Sequence, residues 1–357
     1  MANHVHLKGL NGIRAIAALT VLASHAWKGL NVMHLVETSP LNMGPNGVTI
    51  FFTLSGFLIT YLLLTEKEKK GISIKNFYIR RMLRIWPLYF LYLAIAVPLA
   101  YTAYTGDVPN SLPFYLFFAA NVPTIIGKTF PYLGHYWSIG VEEQFYLFWP
   151  WIVKRSSKVL LALVIFTGLF FLTKVAVRFS VPNPKHSMLL DVFYFTRFDC
   201  MSIGGIAAVL CMQKNTLFHK IALNRITEII AWLCLLLIIC GRFAITTLVT
   251  QEMVSLVTVC VMVNLSFNER PLISLENKIF NFLGKISYGI YIIHLMVMQG
   301  SFYLVTRMNL SPAFTGFLNI VIAVSATLLI AWLSYAFFEK RFLQLKGRYS
   351  SIKTEHP

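Results

Sequence analysis

Apolar runs long enough to cross a bilayer recur along this chain from Leu10 to Phe338. A hydrocarbon core of ~30 Å takes about 20 apolar residues of helix, and within it every backbone N–H and C=O must be bonded inside the segment. The pattern predicts an all-α, polytopic membrane helical bundle. About ten spans are expected, at residues 11–30, 46–64, 85–104, 136–153, 159–177, 189–212, 226–241, 246–266, 286–305 and 314–338. Residues 105–135 are apolar and aromatic but interrupted by Pro109, Pro113, Pro123 and Pro131. They read as a re-entrant or surface-lying segment.

Composition excludes a soluble domain, with 57% hydrophobic and only 13% charged residues. The formal charge of +17 would suggest nucleic acid in a soluble chain, but topology absorbs it. With the N-terminus in the cytoplasm, loops 65–84, 154–158, 213–225 and 266–285 plus both termini hold 22 Lys/Arg. The opposite side holds 7, among them Lys174, Arg178 and Lys185, the weakest point of the assignment. This bias predicts both termini cytoplasmic and an even number of crossings. Membrane lipid is an expected partner; nucleic acid is not. The N-terminal stretch is too long for a cleaved signal and lacks a small-residue cleavage site. Five cysteines in apolar runs, without C-x-x-C spacing, read as small core residues; neither a disulfide nor a metal site is expected.

The first span carries two residues that lipid disfavours, Arg14 and His25. Their separation of eleven residues is close to three helical turns, so they share a face roughly 16 Å apart along the axis. Intramembrane charge is costly and usually functional. The structural alternative is a snorkelling arginine and an interhelical histidine. Similarly, Arg80, Arg81 and Arg84 cluster at the opening of the third helix, in a loop that also holds Lys67, Lys69, Lys70 and Lys75. Forked guanidiniums at this spacing suit phosphate oxygens, of lipid headgroups or of a soluble phosphorylated ligand. No P-loop or G-x-G-x-x-G motif is present.

The fourth span contains Ser138 and Glu142 on one face, with Glu143 pointing elsewhere. A buried carboxylate near His25 would make a general base; the alternative is a structural ion pair, for instance with Arg197. Arg197 and Asp199 are expected to neutralise each other through neighbours. Tyr288, Tyr291 and His294 form a polar seam on the ninth span, a pattern that is more often helix packing than chemistry. Gly56 and Gly204-Gly205 are expected at close helix approaches.

Taken together, these motifs resemble the acyltransferase-3 family of bacterial membrane O-acyltransferases, over residues 7–342. The resemblance rests on Arg14-x10-His25, Phe-Phe-x-Leu-Ser-Gly-Phe-Leu-Ile at 51–59, and Arg80-Arg81-x-x-Arg84-x-x-Pro87. It extends to Trp137-Ser138-x-x-Val-Glu142-Glu143-Gln-Phe-Tyr146, Gly284-x-x-Ser287-Tyr288-x-x-Tyr291-x-x-His294 and Phe338-Glu339, with Gly140 a minor departure. It implies transfer of an acyl group, commonly acetyl, from cytoplasmic acyl-CoA as co-substrate, with no bound cofactor, to a carbohydrate hydroxyl. On this resemblance His25 is the candidate base and Glu142 or Glu143 orients or balances it. Arg14, Arg80, Arg81 and Arg84 would contact CoA, with Ser55, Ser138, Tyr288 and His294 as further polar site residues. Residues 343–357 are expected to be a short basic cytoplasmic tail, without the extracytoplasmic hydrolase-like domain of longer relatives, and the location to be the inner (plasma) membrane. A transporter or flippase of a lipid-linked saccharide is the alternative; the arginine cluster and the lack of an internal repeat weigh against it.

Overall fold

A computed structural model describes residues 4–5, 7–32, 42–104, 106–182, 187–246, 248–308, 310–350 and 353–354. Lys185, part of the weak point in the charge count, lies outside the described residues. The apolar runs fold as helices: α1 (Leu10–Val32), α2 (Met43–Lys69), α3 (Ile74–Ala103), α6 (Tyr136–Arg155) and α7 (Val159–Ser180). They continue with α8 (Met188–Thr196), α9 (Phe198–Met212), α11 (Arg225–Ile239), α12 (Thr250–Phe267), α13 (Lys278–Thr306) and α14 (Pro312–Ser334). Short helices α4 (Leu112–Leu116), α5 (Asn121–Ile125), α10 (Thr216–Ala222) and α15 (Lys340–Lys346) fill the connections. Helix starts follow local chemistry: Ser73, Asn224 and Asn277 each accept a backbone N–H from the first turn of α3, α11 and α13.

Seven segments among the described residues are long and apolar enough to cross a membrane: α2, α3, α7, α8 with α9, α12, α13, and α14 continued to Tyr349. The pair α10–α11, bent by 58°, makes an eighth if it is one span. The chain is thus a multi-pass membrane protein. The expected count of about ten exceeds this because α1 and α6, though long, carry the polar residues of interest and fall short on apolarity. Among the described residues of this stretch, 106–135, the only helices are α4 and α5, bound to α6 through Gln144, which donates to Phe118 O and Asn121 Oδ1. There a Cβ on Gly140 would sit 2.8 Å from Phe118 O, which accounts for glycine at that position.

Two apolar cores flank α1 and α2, which contribute to both. One gathers α1, α2, α3, α6 and α13 around Tyr89, Tyr136, Phe145 and Trp149. The other joins α1 and α2 to α9, α11 and α12 around Phe57, Leu235 and Met262. At the terminal ends of the described chain, His4–Val5 pairs in parallel with Lys353–Thr354, so both ends lie on one side of the bundle.

The expectations for the sixth span need correction. It breaks at Arg197, whose φ of 44° is left-handed. Arg197 does not neutralise Asp199. Its guanidinium donates to Tyr194 O, Pro45 O, Thr49 Oγ1 and Gln251 Oε1, and lies over the Trp137 and Tyr194 rings. The broken turn frees carbonyls that a buried guanidinium satisfies. Nor is Lys174 a loop charge. It is buried in α7, 2.5 Å from Glu252 of α12, and so leaves the outward tally. Breaking a buried pair strands one charge at a cost of about 3–5 kcal/mol. Lys174→Met is therefore expected to lower the thermal midpoint of the detergent-solubilised protein, and Lys174→Met with Glu252→Gln to recover most of the loss. A single variant as stable as the parent would refute the argument.

Candidate functional site

Five helices converge on a polar interior that the sequence marks residue by residue. Helix α1 brings Arg14 and His25, α2 brings Ser55, and α3 brings Arg80, Arg81 and Arg84 from its first turns. From α6 come Ser138 and Glu142, and from α13 come Tyr288, Tyr291 and His294. A cavity of about 90 Å³ is lined by Arg14, Ser55, Arg81, Arg84, Ser138, Glu142, Tyr146, Tyr288 and Tyr291, with Phe51 and Phe52 as its apolar wall. A second, of about 70 Å³, shares Arg14, Leu58, Arg81 and Arg84 with the first and extends past Arg80 and Glu66 to Lys346 and Ser350. The shared residues make the two cavities stages of one passage.

The cations of this passage are unequally satisfied. Arg80 is paired with Glu66 at 2.6 Å and donates to Tyr349 O. Arg14 donates to Asn11 Oδ1. Arg81 lies over the Phe77 and Tyr146 rings, and its buried Nε has no hydrogen-bond partner. No carboxylate among the described residues forms an ion pair with Arg81 or Arg84. The acid on the same cavity wall, Glu142, is occupied: Ser55 and Tyr146 both donate their hydroxyls to its Oε1. Guanidiniums gathered in a low-dielectric passage without matching carboxylates have the chemistry to bind an anion.

Glu143 turns away from the cavity, accepting from Trp86 Nε1 at 3.0 Å. That direction is the one helical spacing predicts. Tyr288 spends its hydroxyl on Ile85 O. Ser138 and Tyr291 hydroxyls meet at 2.5 Å, and Tyr291 also donates to His135 O.

His25 lies elsewhere than expected. It lines a third cavity of about 300 Å³, with Lys28, Met298, Gln299, Phe302 and Asn319. Its neighbour is His294 rather than a carboxylate: His294 Nε2 is 3.3 Å from His25 Nδ1, with ring centres 4.9 Å apart. The stripe from Arg14 to His25 is therefore not one open track. Tyr291, His294 and Ser138 stand between the arginine-lined passage and the His25 cavity.

Hydrogen-bond accounting assigns the tautomers. A carbonyl only accepts, so His294 Nδ1, 2.7 Å from Tyr291 O, carries a proton and leaves Nε2 as acceptor. His25 Nδ1 is 3.0 Å from Val21 O and carries a proton that also faces His294 Nε2. The lone pair of neutral His25 is thus on Nε2, free to accept a proton. His135, passed over in the sequence, sets its ring edge-on to that of His294, centres 5.2 Å apart, and donates from Nε2 to Ile292 O. Its place just before Trp137-Ser138 was the available signal. The seam of Tyr288, Tyr291 and His294 does tie helices together, through Tyr288 to Ile85 O and Tyr291 to His135 O, and Tyr288 and Tyr291 also line the first cavity.

Comparison with known proteins identifies relatives and a family. Peptidoglycan O-acetyltransferase OatA of Listeria monocytogenes is 29% identical over 94% of this chain and 55% of its own length. YrhL of Bacillus subtilis, provisionally named a peptidoglycan O-acetyltransferase, is 29% identical over 95% of this chain and 55% of its own. A Staphylococcus aureus protein provisionally named an O-acetyltransferase is 28% identical over 94% of this chain and 57% of its own. The chain thus spans about half the length of these curated relatives. No solved structure matches it. The acyltransferase domain that defines the acyltransferase-3 family matches residues 7–336, and the chain belongs to that family.

Proposed function

We propose that the chain is an O-acyltransferase of the inner (plasma) membrane. It takes an acyl group, most simply acetyl, from cytoplasmic acyl-CoA and passes it to a hydroxyl of a cell-envelope carbohydrate presented on the other face. The observation that carries this reading is the pair of spaces meeting at one wall. A passage whose Arg81 and Arg84 lack carboxylate partners among the described residues runs up to Ser138 and Tyr291, and a separate cavity holds His25, whose Nε2 carries the lone pair. One suits a polyanionic donor with an apolar arm; the other suits an acceptor alcohol.

In this reading ten crossings hold the site: the seven apolar segments, the bent α10–α11 pair, α1 and α6. An even number keeps both termini cytoplasmic, in keeping with the pairing of His4–Val5 and Lys353–Thr354. The donor's phosphates bind at Arg81, Arg84 and Arg14, and its pantetheine arm extends toward Ser55 and Tyr291. The acceptor hydroxyl gives its proton to His25 Nε2 and its oxygen attacks the thioester carbonyl. The hydroxyls of Ser138 and Tyr291 donate to the resulting oxyanion. On collapse the C–S bond breaks and the CoA thiolate takes the proton from the His25 imidazolium. Tyr291 must swing aside for the two reactants to meet. Glu142 holds Ser55 and Tyr146 and limits the positive charge of the passage.

The names of two relatives make peptidoglycan the first acceptor to test. The purified chain in nanodiscs, given radiolabelled acetyl-CoA and peptidoglycan fragments, should release CoA in an acceptor-dependent way. Mass spectrometry of envelope glycans from cells with and without the gene should show an added acetyl ester. The reading is lost if neither signal appears with any envelope glycan.

A further inference from the structure

We infer that Lys346, on the helix after the matched domain, recognises the phosphomonoester at the nucleotide end of the donor. The inference rests on the acyl-CoA reading above and adds a residue that the family motifs do not contain, since the domain match ends at residue 336.

The path of the chain brings Lys346 to the passage. Helix α14 runs into a π-helical turn, Tyr335–Glu339, before α15. A π turn rotates the residues after it relative to those before. Glu339, at its end, is buried and accepts from Ser334. Lys346 follows two turns later, on the same side of the helix. The segment is fastened at its far end, where Arg80 donates to Tyr349 O at 2.8 Å. Lys346 is thus a built part of the cavity wall, lining it together with Glu66, Arg80, Arg81 and Arg84.

Charge accounting shows what is missing. Of the cations on the two joined cavities, Arg80 is neutralised by Glu66. Arg14, Arg81, Arg84 and Lys346 remain, and Glu142 is the other carboxylate on the lining. Lys346 takes part in none of the ion pairs found among the described residues, and the buried Arg81 Nε has no hydrogen-bond partner. Three uncompensated positive charges call for a ligand with more than a diphosphate. A phosphomonoester adds about −1.5 to −2 at neutral pH. Position separates the two groups. Arg14, Arg81 and Arg84 line both cavities and lie midway, where a diphosphate bridges them; Lys346 lines only the second. A compact ammonium on a flexible stem suits a terminal monoester, while the forked guanidiniums suit the diphosphate.

The test measures binding, not turnover, on the full chain in detergent. Isothermal titration compares CoA with 3′-dephospho-CoA for the parent, Lys346→Met and Lys346→Arg. The parent should prefer CoA by about tenfold or more, a difference of about 1.4 kcal/mol. Lys346→Met should lose that preference while binding 3′-dephospho-CoA as the parent does, which also shows that it is folded. Lys346→Arg should keep it. Equal weakening toward both ligands, or no weakening, overturns the assignment of Lys346 and leaves the donor reading intact. A parent that binds neither ligand overturns the donor reading itself, and this inference with it.

Discussion

His25→Ala is expected to lower acyl transfer by about 10²–10⁴-fold, the range for losing a general base, while donor affinity stays within about twofold. The two halves of this expectation come from different parts of the structure. Donor contacts are assigned to the arginine passage, which His25 does not line. The chemical step needs a lone pair facing the acceptor space, and the hydrogen bonds of Val21 and His294 leave it on His25 Nε2. Truncation at His25 removes no apolar core contact of the first order, since the ring borders a cavity. The measurement is single-turnover transfer of labelled acetyl alongside titration of CoA. A variant with unchanged turnover would dismiss His25 as the base. Loss of CoA binding in step with turnover would instead make it a structural residue of α1.

Much of this site was legible because expensive residues announce themselves in an apolar chain. Arg14, Arg81, Arg84 and Glu142 were each recognisable as charges that lipid would exclude, and they meet on one cavity. Helical spacing separated Glu142 from Glu143 correctly, since adjacent residues on a helix face different ways. What spacing within one helix cannot give is contact between helices. The His25–His294 contact spans 269 residues of sequence, and depth in the bilayer alone cannot set a carboxylate of another helix beside His25. Depth places two groups in one layer of the bilayer; it does not place them side by side. The same limit explains Arg197, whose partners come from α2 and α12 rather than from Asp199 two residues away. Apolarity alone recovers seven or eight of the expected spans. Hydropathy penalises the helices that carry the chemistry, so α1 and α6 fall short by the criterion that recognises the other spans. Lys346 was hidden because a lysine in a basic tail looks like a topology signal until the fold turns it inward.

Gly56→Ala is expected to cost more stability than any other single methyl added to this chain. The reason is geometric. A Cβ at Gly56 would lie 1.8 Å from Met201 O, and one at Gly204 would lie 2.0 Å from Thr53 O. Both contacts are with backbone, so no side-chain rotation relieves them; α2 and α9 must move apart. In lipid, helices associate through close packing and have no hydrophobic drive to reseal the gap. Overpacking of this kind costs roughly 1–3 kcal/mol, and more where only backbone can yield. The damage reaches the site as well, because Ser55 precedes Gly56 and donates to Glu142. Displacing α2 by even a fraction of an ångström loosens that bond, so turnover should fall further than the folded fraction. Gly168 in α7 is the control: a Cβ there meets nothing within 4 Å, and Gly168→Ala should melt at or slightly above the parent temperature. Thermal unfolding of both variants in one detergent, with turnover measured below the transition, checks the comparison. Equal melting of Gly56→Ala and Gly168→Ala would mean that α2 and α9 do not cross as closely as described.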